Sequence, residues 1–294
     1  IRLLVLFTIF SLVKPKYLNI SLYGSNFERL NSLLTHAEKN MKINHTNLLP
    51  RITNKPDLIF IVGMPRSGKT FLESILSINE SFLPGGENRA WQEAIDEFIS
   101  NSESRLTNNL YEQFLKNISH DLSKISFISS TEPINLLYVD ILLNYLPNTK
   151  IIYCYRNPLD HIKEIFFKHM VNRHTYSSSI TEIAHLWIKT HALMQKAHNL
   201  SNEIYSINYD DLVHYPEQQI KLLFNWLNWE YKPKYLNPIL DPTTTYSQNN
   251  FNKTDSNQVI NNNSFGVWKN YINILQPAIN ILQNNDKYKK LLEI

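Results

Sequence analysis

The sequence has 294 residues, yet it contains a single cysteine, Cys154, and only six glycines beside thirteen prolines. One cysteine cannot form an intrachain disulfide bond, so the cysteine content gives no indication of an oxidising compartment. Cys154 lies inside the apolar run Lys150–Tyr155, which predicts an inert core residue. Few glycines and many prolines favour a helical α/β chain over a turn-rich β-sandwich.

The chain also has little excess of one sign of charge. The formal net charge is +3, and no dense block of Lys and Arg appears. An anionic ligand suits this mild positive bias, whereas a nucleic-acid partner is not indicated. The sequence has no H-E-x-x-H motif and no Cys/His cluster, so we predict no metal site. We expect the ten histidines to be mostly hydrogen-bonded core residues.

A long hydrophobic run is missing as well. Residues 3–13 are apolar, but a membrane span needs about 20 apolar residues. We predict that they form a buried helix in a partial helical N-terminal segment, residues 1–50, and that the protein is cytoplasmic. If they belong to a longer apolar segment, a membrane anchor or a secretory-pathway location is the alternative. Two prolines then break the chain before a second unit, residues 56–294.

The most informative stretch is a glycine-bounded loop, residues 63–70, between an apolar run at 58–62 and a helical pattern at 70–76. A strand, a loop and a helix in this order can cradle a phosphate, because the loop N–H groups and the helix N-terminus point at one anion. The loop satisfies the P-loop pattern G-x-x-x-x-G-K-[ST]. Arg66 and Lys69 add positive charge to this segment, which we call the phosphate loop.

Further apolar runs alternate with helical patterns along the chain. Runs at Ile125–Ser130, Lys150–Tyr155 and Glu203–Asn208 are predicted strands, and continuous apolar runs are typical of parallel strands that are covered on both faces. We therefore predict an α/β fold, a P-loop-type doubly wound parallel sheet flanked by helices with a short helical N-terminal segment, and a ligand at the carboxyl ends of the strands. Helical patterns cover residues 26–37, 90–100, 111–122, 135–146, 159–170, 181–200 and 216–227.

Several segments resemble the sulfotransferases that use 3′-phosphoadenosine 5′-phosphosulfate (PAPS) as donor. The segment Pro65-Arg66-Ser67-Gly68 resembles their 5′-phosphosulfate loop, and residues 156–160, 208–212 and 264–271 resemble later motifs in the same order. The resemblance covers roughly residues 56–280. It is nearest to the branch that contains tyrosylprotein sulfotransferases and bacterial tetratricopeptide-linked sulfotransferases.

The resemblance implies a role for each matching residue. Arg156 would clamp the donor's 3′-phosphate through its planar guanidinium fork. Glu87 would act as the general base that removes the proton of the acceptor hydroxyl, and Arg89 would orient the acceptor. The catalytic residues would be Glu87, Arg66 and Lys69, and the nucleotide-binding residues Pro65, Arg66, Ser67, Gly68, Lys69, Thr70, Arg156, Lys168, Tyr209, Ser256, Trp268 and Lys269.

Three positions depart from the family pattern. Lys69 stands where a Thr is usual, Glu164 replaces a Ser eight residues after the 3′-phosphate Arg, and no lysine precedes Pro133 at its usual place. A carboxylate at position 164 would repel a phosphate unless it turns away, so we expect it to pair with Lys168 at i+4. Lys168 would then take part of the phosphate contact, and Lys69 would replace the missing lysine.

The sequence thus predicts a sulfotransferase that moves a sulfuryl group from PAPS to a hydroxyl acceptor (a peptide tyrosine, a carbohydrate or a small molecule) without a metal. One alternative is a P-loop kinase or NTPase, which Lys69 favours, but the predicted strands do not end in an acidic residue that could hold Mg²⁺. A second is a catalytically impaired nucleotide-binding relic, which Glu164 favours. If Arg156 does not bind phosphate, the expected arrangement is a surface ion pair with Asp160.

Overall fold

The computed structural model describes residues 25–43, 55–87, 122–168, 174–236 and 265–289. At its centre lies a five-stranded sheet in which every neighbouring pair of strands is parallel. This confirms the predicted α/β fold. The strands are β1 (Asp57–Val62), β2 (Phe82–Leu83), β3 (Phe127–Ser130), β4 (Thr149–Tyr155) and β5 (Ile204–Asn208), in the spatial order β2-β3-β1-β4-β5.

Strand β1 is apolar throughout because both of its faces are covered. Phe60 and Val62 point into one hydrophobic cluster, and Ile59 and Ile61 point into another on the opposite face. Successive side chains of a strand alternate between the two faces of a sheet. A central strand between two helical layers therefore needs an apolar residue at every position, and this is the pattern that the sequence shows.

Helices form both covering layers. The α-helices are α1 (Ser25–Asn40), α2 (Lys69–Leu76), α3 (Val139–Tyr145), α4 (Pro158–Phe167), α5 (Ile180–Leu200), α6 (Tyr209–His214), α7 (Pro216–Leu227), α8 (Ile272–Gln283) and α9 (Asp286–Lys289). One layer contains α1 and α3 to α5 with α8 and α9, and the other contains α2, α6 and α7. Short 3₁₀ helices span Pro133–Tyr138, Thr175–Ser178, Pro233–Leu236 and Val267–Tyr271.

The helix starts follow local sequence chemistry. The side chain of Asn157 accepts hydrogen bonds from the first turn of α4, and Asn208 does the same for α6. Such caps satisfy amide groups that have no partner inside the helix. Pro216 occupies the first turn of α7, where its missing N–H has no cost. Because β5 ends at Asn208 and β4 ends two residues before Asn157, the caps also fix the edge of the sheet where a ligand is expected.

Helix α1 packs onto the layer of α5. Leu34 and Met41 are buried in the same hydrophobic cluster as that layer, and Lys196 of α5 donates to the Glu38 carbonyl. The described part of the N-terminal segment therefore shares a core with the sheet, and the predicted division at residues 50–56 remains a prediction.

Some segments for which the sequence makes a prediction lie outside the part of the chain that the structure describes. The apolar residues 3–13, the predicted helix at 90–100 and residues 111–121 of the predicted helix at 111–122 lie outside the described residues. Over the described ranges, no helix is long and apolar enough to cross a membrane. Cys154 is fully buried, and burial raises the pKa of its thiol to about 12, in agreement with an inert core residue.

Candidate functional site

The phosphate loop lies at the carboxyl end of β1 and leads into α2. Gly68 is the N-cap residue of α2, with a φ of 98°. A Cβ atom at this position would lie 2.1 Å from the ring of Tyr209, which no side chain can tolerate. The glycine is therefore required because Tyr209, at the start of α6, packs directly against the loop. This contact joins two sequence segments that the resemblance assigned to nucleotide binding.

Lys69 points back into the phosphate loop. It is buried, and its Nζ donates to the carbonyl oxygens of Gly63 at 3.2 Å and Met64 at 3.1 Å. Burial lowers the pKa of Lys69, and the strongest charge that opposes this effect is the carboxylate of Glu87. The predicted base and the loop lysine are thus electrostatic neighbours, although they are 18 positions apart in the sequence.

Arg66 is the outward-facing cation of the loop, with 40% of its side chain exposed. Its Nη2 lies 3.9 Å from Glu164 Oε2, while Glu164 Oε1 accepts from Lys163 Nζ at 2.8 Å. The expected pairing of Glu164 with Lys168 is wrong, because α4 ends at Phe167 and Lys168 has an extended backbone. Burial alone would raise the pKa of Glu164, but Lys163, Arg156 and Arg66 outweigh it and lower this pKa.

Arg156 lies at the carboxyl end of β4 and is buried. Its Nε is 3.5 Å from Asp210 Oδ1, and its Cζ lies 4.7 Å from the centroid of the Tyr209 ring. The alternative expectation of a surface pair with Asp160 is therefore wrong. Asp210 Oδ2 also accepts from the Asn157 backbone N–H at 2.6 Å, so the start of α6 fixes both the guanidinium and the backbone that follows it.

Asp160 serves a different segment. Its carboxylate accepts from the backbone N–H of Gly266 at 2.6 Å and of Trp268 at 2.9 Å. The carboxylate thereby holds residues 265–271, part of the last segment that resembles the family, against α4, with Trp268 buried and Lys269 exposed. Sequence reasoning missed this role. The only available sign was the position of an acidic residue in the first turn of α4.

His161 is a second residue that the sequence analysis did not single out. Its imidazole is 1% exposed, and Nε2 donates to the Pro65 carbonyl of the phosphate loop at 2.8 Å. Burial lowers the pKa of His161 to about 3, and the charges of Arg156 and Lys69 act in the same direction. The ring is therefore neutral at neutral pH, with its proton on Nε2, and it supports the loop at Pro65.

The remaining predicted site residues are divided between the described and undescribed parts of the chain. Glu87 is exposed at the end of a described range, in the turn that follows β2. Arg89 and Ser256 lie outside the described residues. No group of three or more His, Cys, Asp and Glu residues that could hold a metal occurs in the part of the chain that the structure describes. Of the other predicted residues, Ser67 is buried, Pro65 and Thr70 are half-buried, and Lys168 is exposed just after α4.

Together the described residues form a basic site at the carboxyl edge of the sheet. The loop after β1, Arg156 after β4 and Tyr209 after β5 meet there, and Glu87 lies in the electrostatic field of Lys69. An oxyanion that enters would meet the exposed guanidinium of Arg66 and the N-terminus of α2. The arrangement is able to bind a phosphate and to place a carboxylate beside it.

Comparison with known proteins gives one family and a set of related folds. Residues 56–233 match the model of the "Sulfotransferase family". The sulfotransferase domain from the Synechococcus PCC 7002 olefin synthase has 13% sequence identity, a TM-score of 0.53, and a match over 79% of this chain and 97% of that chain. Mouse sulfotransferase SULT7A1 complexed with PAP has 18% identity, a TM-score of 0.47, and a match over 89% and 93%.

A sequence relative is an uncharacterized protein from Aquifex aeolicus strain VF5. It is 28% identical over 260 residues, which is 79% of this chain and 33% of that protein. The chain therefore spans about a third of the length of this relative. At 13% identity, the likeness to the olefin synthase domain demonstrates the shared fold.

Proposed function

This chain belongs to the sulfotransferase family, and from that premise we propose that it transfers a sulfuryl group from PAPS to a hydroxyl acceptor. The observation that carries the proposal is that the residue before Glu87, Gly86, donates its N–H to Glu73 at 3.1 Å, one turn from Lys69 on the helix that follows the phosphate loop. The site thus combines a cradle for an anion with a carboxylate able to accept a proton. Peptide tyrosine, carbohydrate and small alcohols or phenols are the acceptor classes.

In this proposal the phosphate loop holds the 5′-phosphosulfate end of the donor. Backbone N–H groups at the start of α2 and the guanidinium of Arg66 face the anion. Lys69 supplies a second positive charge, now held on the Gly63 and Met64 carbonyls. A rotation of its flexible side chain would bring the ammonium to a donor oxygen, which is how Lys69 would replace the lysine missing before Pro133.

Arg156 is proposed to contact the 3′-phosphate. Its support is the rigid setting of the guanidinium, which Asp210 and the Tyr209 ring hold at the carboxyl end of β4. A fixed planar fork binds a phosphate with less loss of side-chain freedom than a mobile lysine. Lys168, the C-cap residue of α4, and Trp268 with Lys269 complete the proposed nucleotide contacts.

Glu87 is proposed to act as the general base. The acceptor oxygen forms a bond to sulfur, its proton passes to the Glu87 carboxylate, and the bond between sulfur and the 5′-phosphate oxygen of the donor breaks. The bisphosphate (PAP) leaves with the bonding electron pair. Arg66 and Lys69 stabilise the charge that builds up on the departing phosphate, and electrostatic stabilisation of this kind is usually the largest single contribution to catalysis. The donor supplies an activated sulfuryl group, and Arg89 is proposed to orient the acceptor.

The test is a calorimetric titration with PAP, beside ATP with Mg²⁺. We expect PAP to bind the wild type and the Arg29→Ala control, which removes an exposed arginine from α1. Arg156→Ala should weaken PAP binding by about 10- to 100-fold, because a charge-assisted hydrogen bond contributes about 1.5–3 kcal/mol. Arg156→Lys, which keeps the charge beside Asp210 but loses the fork, should fall between them.

Other outcomes would contradict the proposal. A preference for ATP with Mg²⁺ that is indifferent to Arg156 would place the chain with P-loop kinases or NTPases. PAP binding without sulfuryl transfer to 2-naphthol, a tyrosine peptide or a hexose would indicate a nucleotide-binding protein that has lost catalysis.

A further inference from the structure

Glu73 is a buried carboxylic acid on the inner face of α2. Only 2% of the residue is exposed. Its Oε1 accepts a hydrogen bond from the Gly86 backbone N–H at 3.1 Å and another from the Ser129 hydroxyl. Burial raises the pKa of Glu73, and these two hydrogen bonds oppose the rise. Burying a carboxyl group is costly unless its hydrogen bonds are satisfied, so both partners contribute to keeping it there.

One partner of Glu73, Gly86, belongs to a turn that is hydrogen-bonded to β3, and the other partner, Ser129, lies in β3 itself. Ser129 Oγ accepts from the Gly85 backbone N–H at 3.2 Å, and the Thr131 N–H donates to the Gly86 carbonyl at 2.9 Å. Gly85 approaches the strand so closely that a Cβ atom there would lie 2.0 Å from the Ser129 carbonyl oxygen. The turn therefore has little freedom to move relative to β3, and Glu73 is its link to α2.

This link joins the two halves of the proposed active site. Glu73 is four positions after Lys69 on α2, so the two side chains lie on the same face of the helix, one turn apart. Glu87 directly follows Gly86. The carboxylate of Glu87 acts on both Lys69 and Glu73, which places all three groups in one region.

We propose that Glu73 is a positioning residue that sets the place of the candidate base Glu87 relative to the phosphate loop. It acts through the Gly86 N–H and Ser129 Oγ, and it contacts neither donor nor acceptor. The catalytic part of this inference rests on the proposed function. A general base must lie within hydrogen-bond reach of the acceptor hydroxyl, and a displacement of about 1 Å can cost about 100-fold in rate. Loss of the Glu73 contacts should therefore lower kcat.

The first experiment measures the contact itself and needs no activity. We compare Glu73→Gln, whose side-chain oxygen can still accept both hydrogen bonds, with Glu73→Met, which has similar size and no strong acceptor. Amide hydrogen exchange of Gly86 should remain near the wild-type rate in Glu73→Gln and rise at least tenfold in Glu73→Met. Ile75→Val, a mild change at a buried position of the same helix, is the control for a general loss of stability. Equal exchange in all four proteins would overturn the proposal.

The second experiment is a double-mutant cycle on sulfuryl transfer from ³⁵S-labelled PAPS to 2-naphthol. Glu73→Met should lower kcat by about 10- to 100-fold in the wild-type background. The affinity of Glu73→Met for PAP should stay within about twofold of the wild-type affinity. Glu73→Gln should retain most of the wild-type kcat. In the Glu87→Gln background, Glu73→Met should lower kcat by less than about threefold, because the carboxylate that Glu73 positions is already absent. Additive losses in the two backgrounds would show that Glu73 does not act through Glu87.

The two experiments separate this inference from the proposed function. If wild-type protein transfers no sulfuryl group but the Gly86 amide responds to Glu73→Met, then the contact is established and the catalytic role of both residues is refuted. If transfer occurs and Glu87→Gln abolishes it, while Glu73→Met changes neither exchange nor kcat, then the sulfotransferase proposal stands and the positioning role is refuted.

Discussion

His161 should make the folded protein less stable as the solution is acidified. Its buried imidazole donates from Nε2 to the Pro65 carbonyl, and Nδ1 has no hydrogen-bond partner among the described residues. Burial lowers the pKa of His161 to about 3 from an ordinary value of 6.5. Between these two values the unfolded chain binds one more proton than the folded chain. Stability therefore rises with pH across this window and falls on acidification, because the folded state must keep the ring neutral.

The size of the effect follows from the same difference in pKa. One pH unit within the window changes the free energy of unfolding by about 1.4 kcal/mol. At about pH 5 the unfolded histidine is almost fully protonated and the folded one is not, so the loss relative to neutral pH is about 2 kcal/mol. His161→Gln removes this loss and keeps an N–H donor for Pro65. Urea unfolding at about pH 5 and about pH 7.5 should therefore show about 2 kcal/mol less acid destabilisation in His161→Gln than in the wild type.

Two histidines on α5 control this measurement. His191 has a pKa lowered to about 4, first by burial and then by Lys287, and it contributes equally to both proteins, so the difference between them isolates His161. His185→Gln alters an exposed histidine and should keep the acid destabilisation of the wild type. If His161→Gln and the wild type lose the same free energy between the two pH values, the neutral, buried state of His161 is refuted.

Three further substitutions test other parts of the site. Glu87→Gln should lower kcat by about 10²- to 10⁴-fold in the transfer assay and leave PAP affinity unchanged, because it removes only the base. Glu164→Ser should strengthen PAP binding severalfold in calorimetry, because it removes a carboxylate that now pairs with Arg66 at 3.9 Å and would repel phosphate. Asp160→Asn should raise amide exchange at Gly266 and Trp268 and lower the free energy of unfolding in urea by about 1–3 kcal/mol. The reason is that an NH₂ group replaces one of the two carboxylate oxygens that accept from these amides.

Each of these has a result that would contradict it. Activity that survives Glu87→Gln removes Glu87 from the mechanism. Weaker PAP binding in Glu164→Ser would mean that the carboxylate orients Arg66 for the donor. Unchanged exchange at Gly266 in Asp160→Asn would mean that other contacts hold the C-terminal segment, and Asp286→Asn, a polar change in α9, is the matched control.

The sheet was largely predictable because its central strands are continuous apolar runs, which are typical of parallel strands covered on both faces. The apolar runs at 58–62 and 150–155 became β1 and β4 with shifts of one residue at their starts. Strand β2 was missed, because two residues, Phe82 and Leu83, are too few to show any periodicity. The predicted helix at 135–146 begins instead as a 3₁₀ turn from Pro133, and such short 3₁₀ segments have no distinct hydrophobic period.

The sequence names candidate site residues but does not predict their contacts. A motif names Arg66, Arg156 and Glu87, yet their partners come from segments that only the order of the strands brings together. The Lys168 pairing failed for a local reason, since the i+4 rule assumes that the helix continues and α4 ends at Phe167. The Asp210 partner of Arg156 was out of reach because it depends on β5 lying beside β4.

Helix α4 shows why these contacts belong together. Within two turns it presents Asp160 to the C-terminal segment, His161 to the phosphate loop and Glu164 to Arg66, and its N-cap Asn157 is fixed by Asp210. A short, buried helix moves as one body, so a shift that improves one of these contacts strains the others. Substitutions at Asp160 and Glu164 should therefore be non-additive in PAP affinity, although the two side chains serve different partners. Additive effects would mean instead that the loop and the C-terminal segment respond to the donor independently.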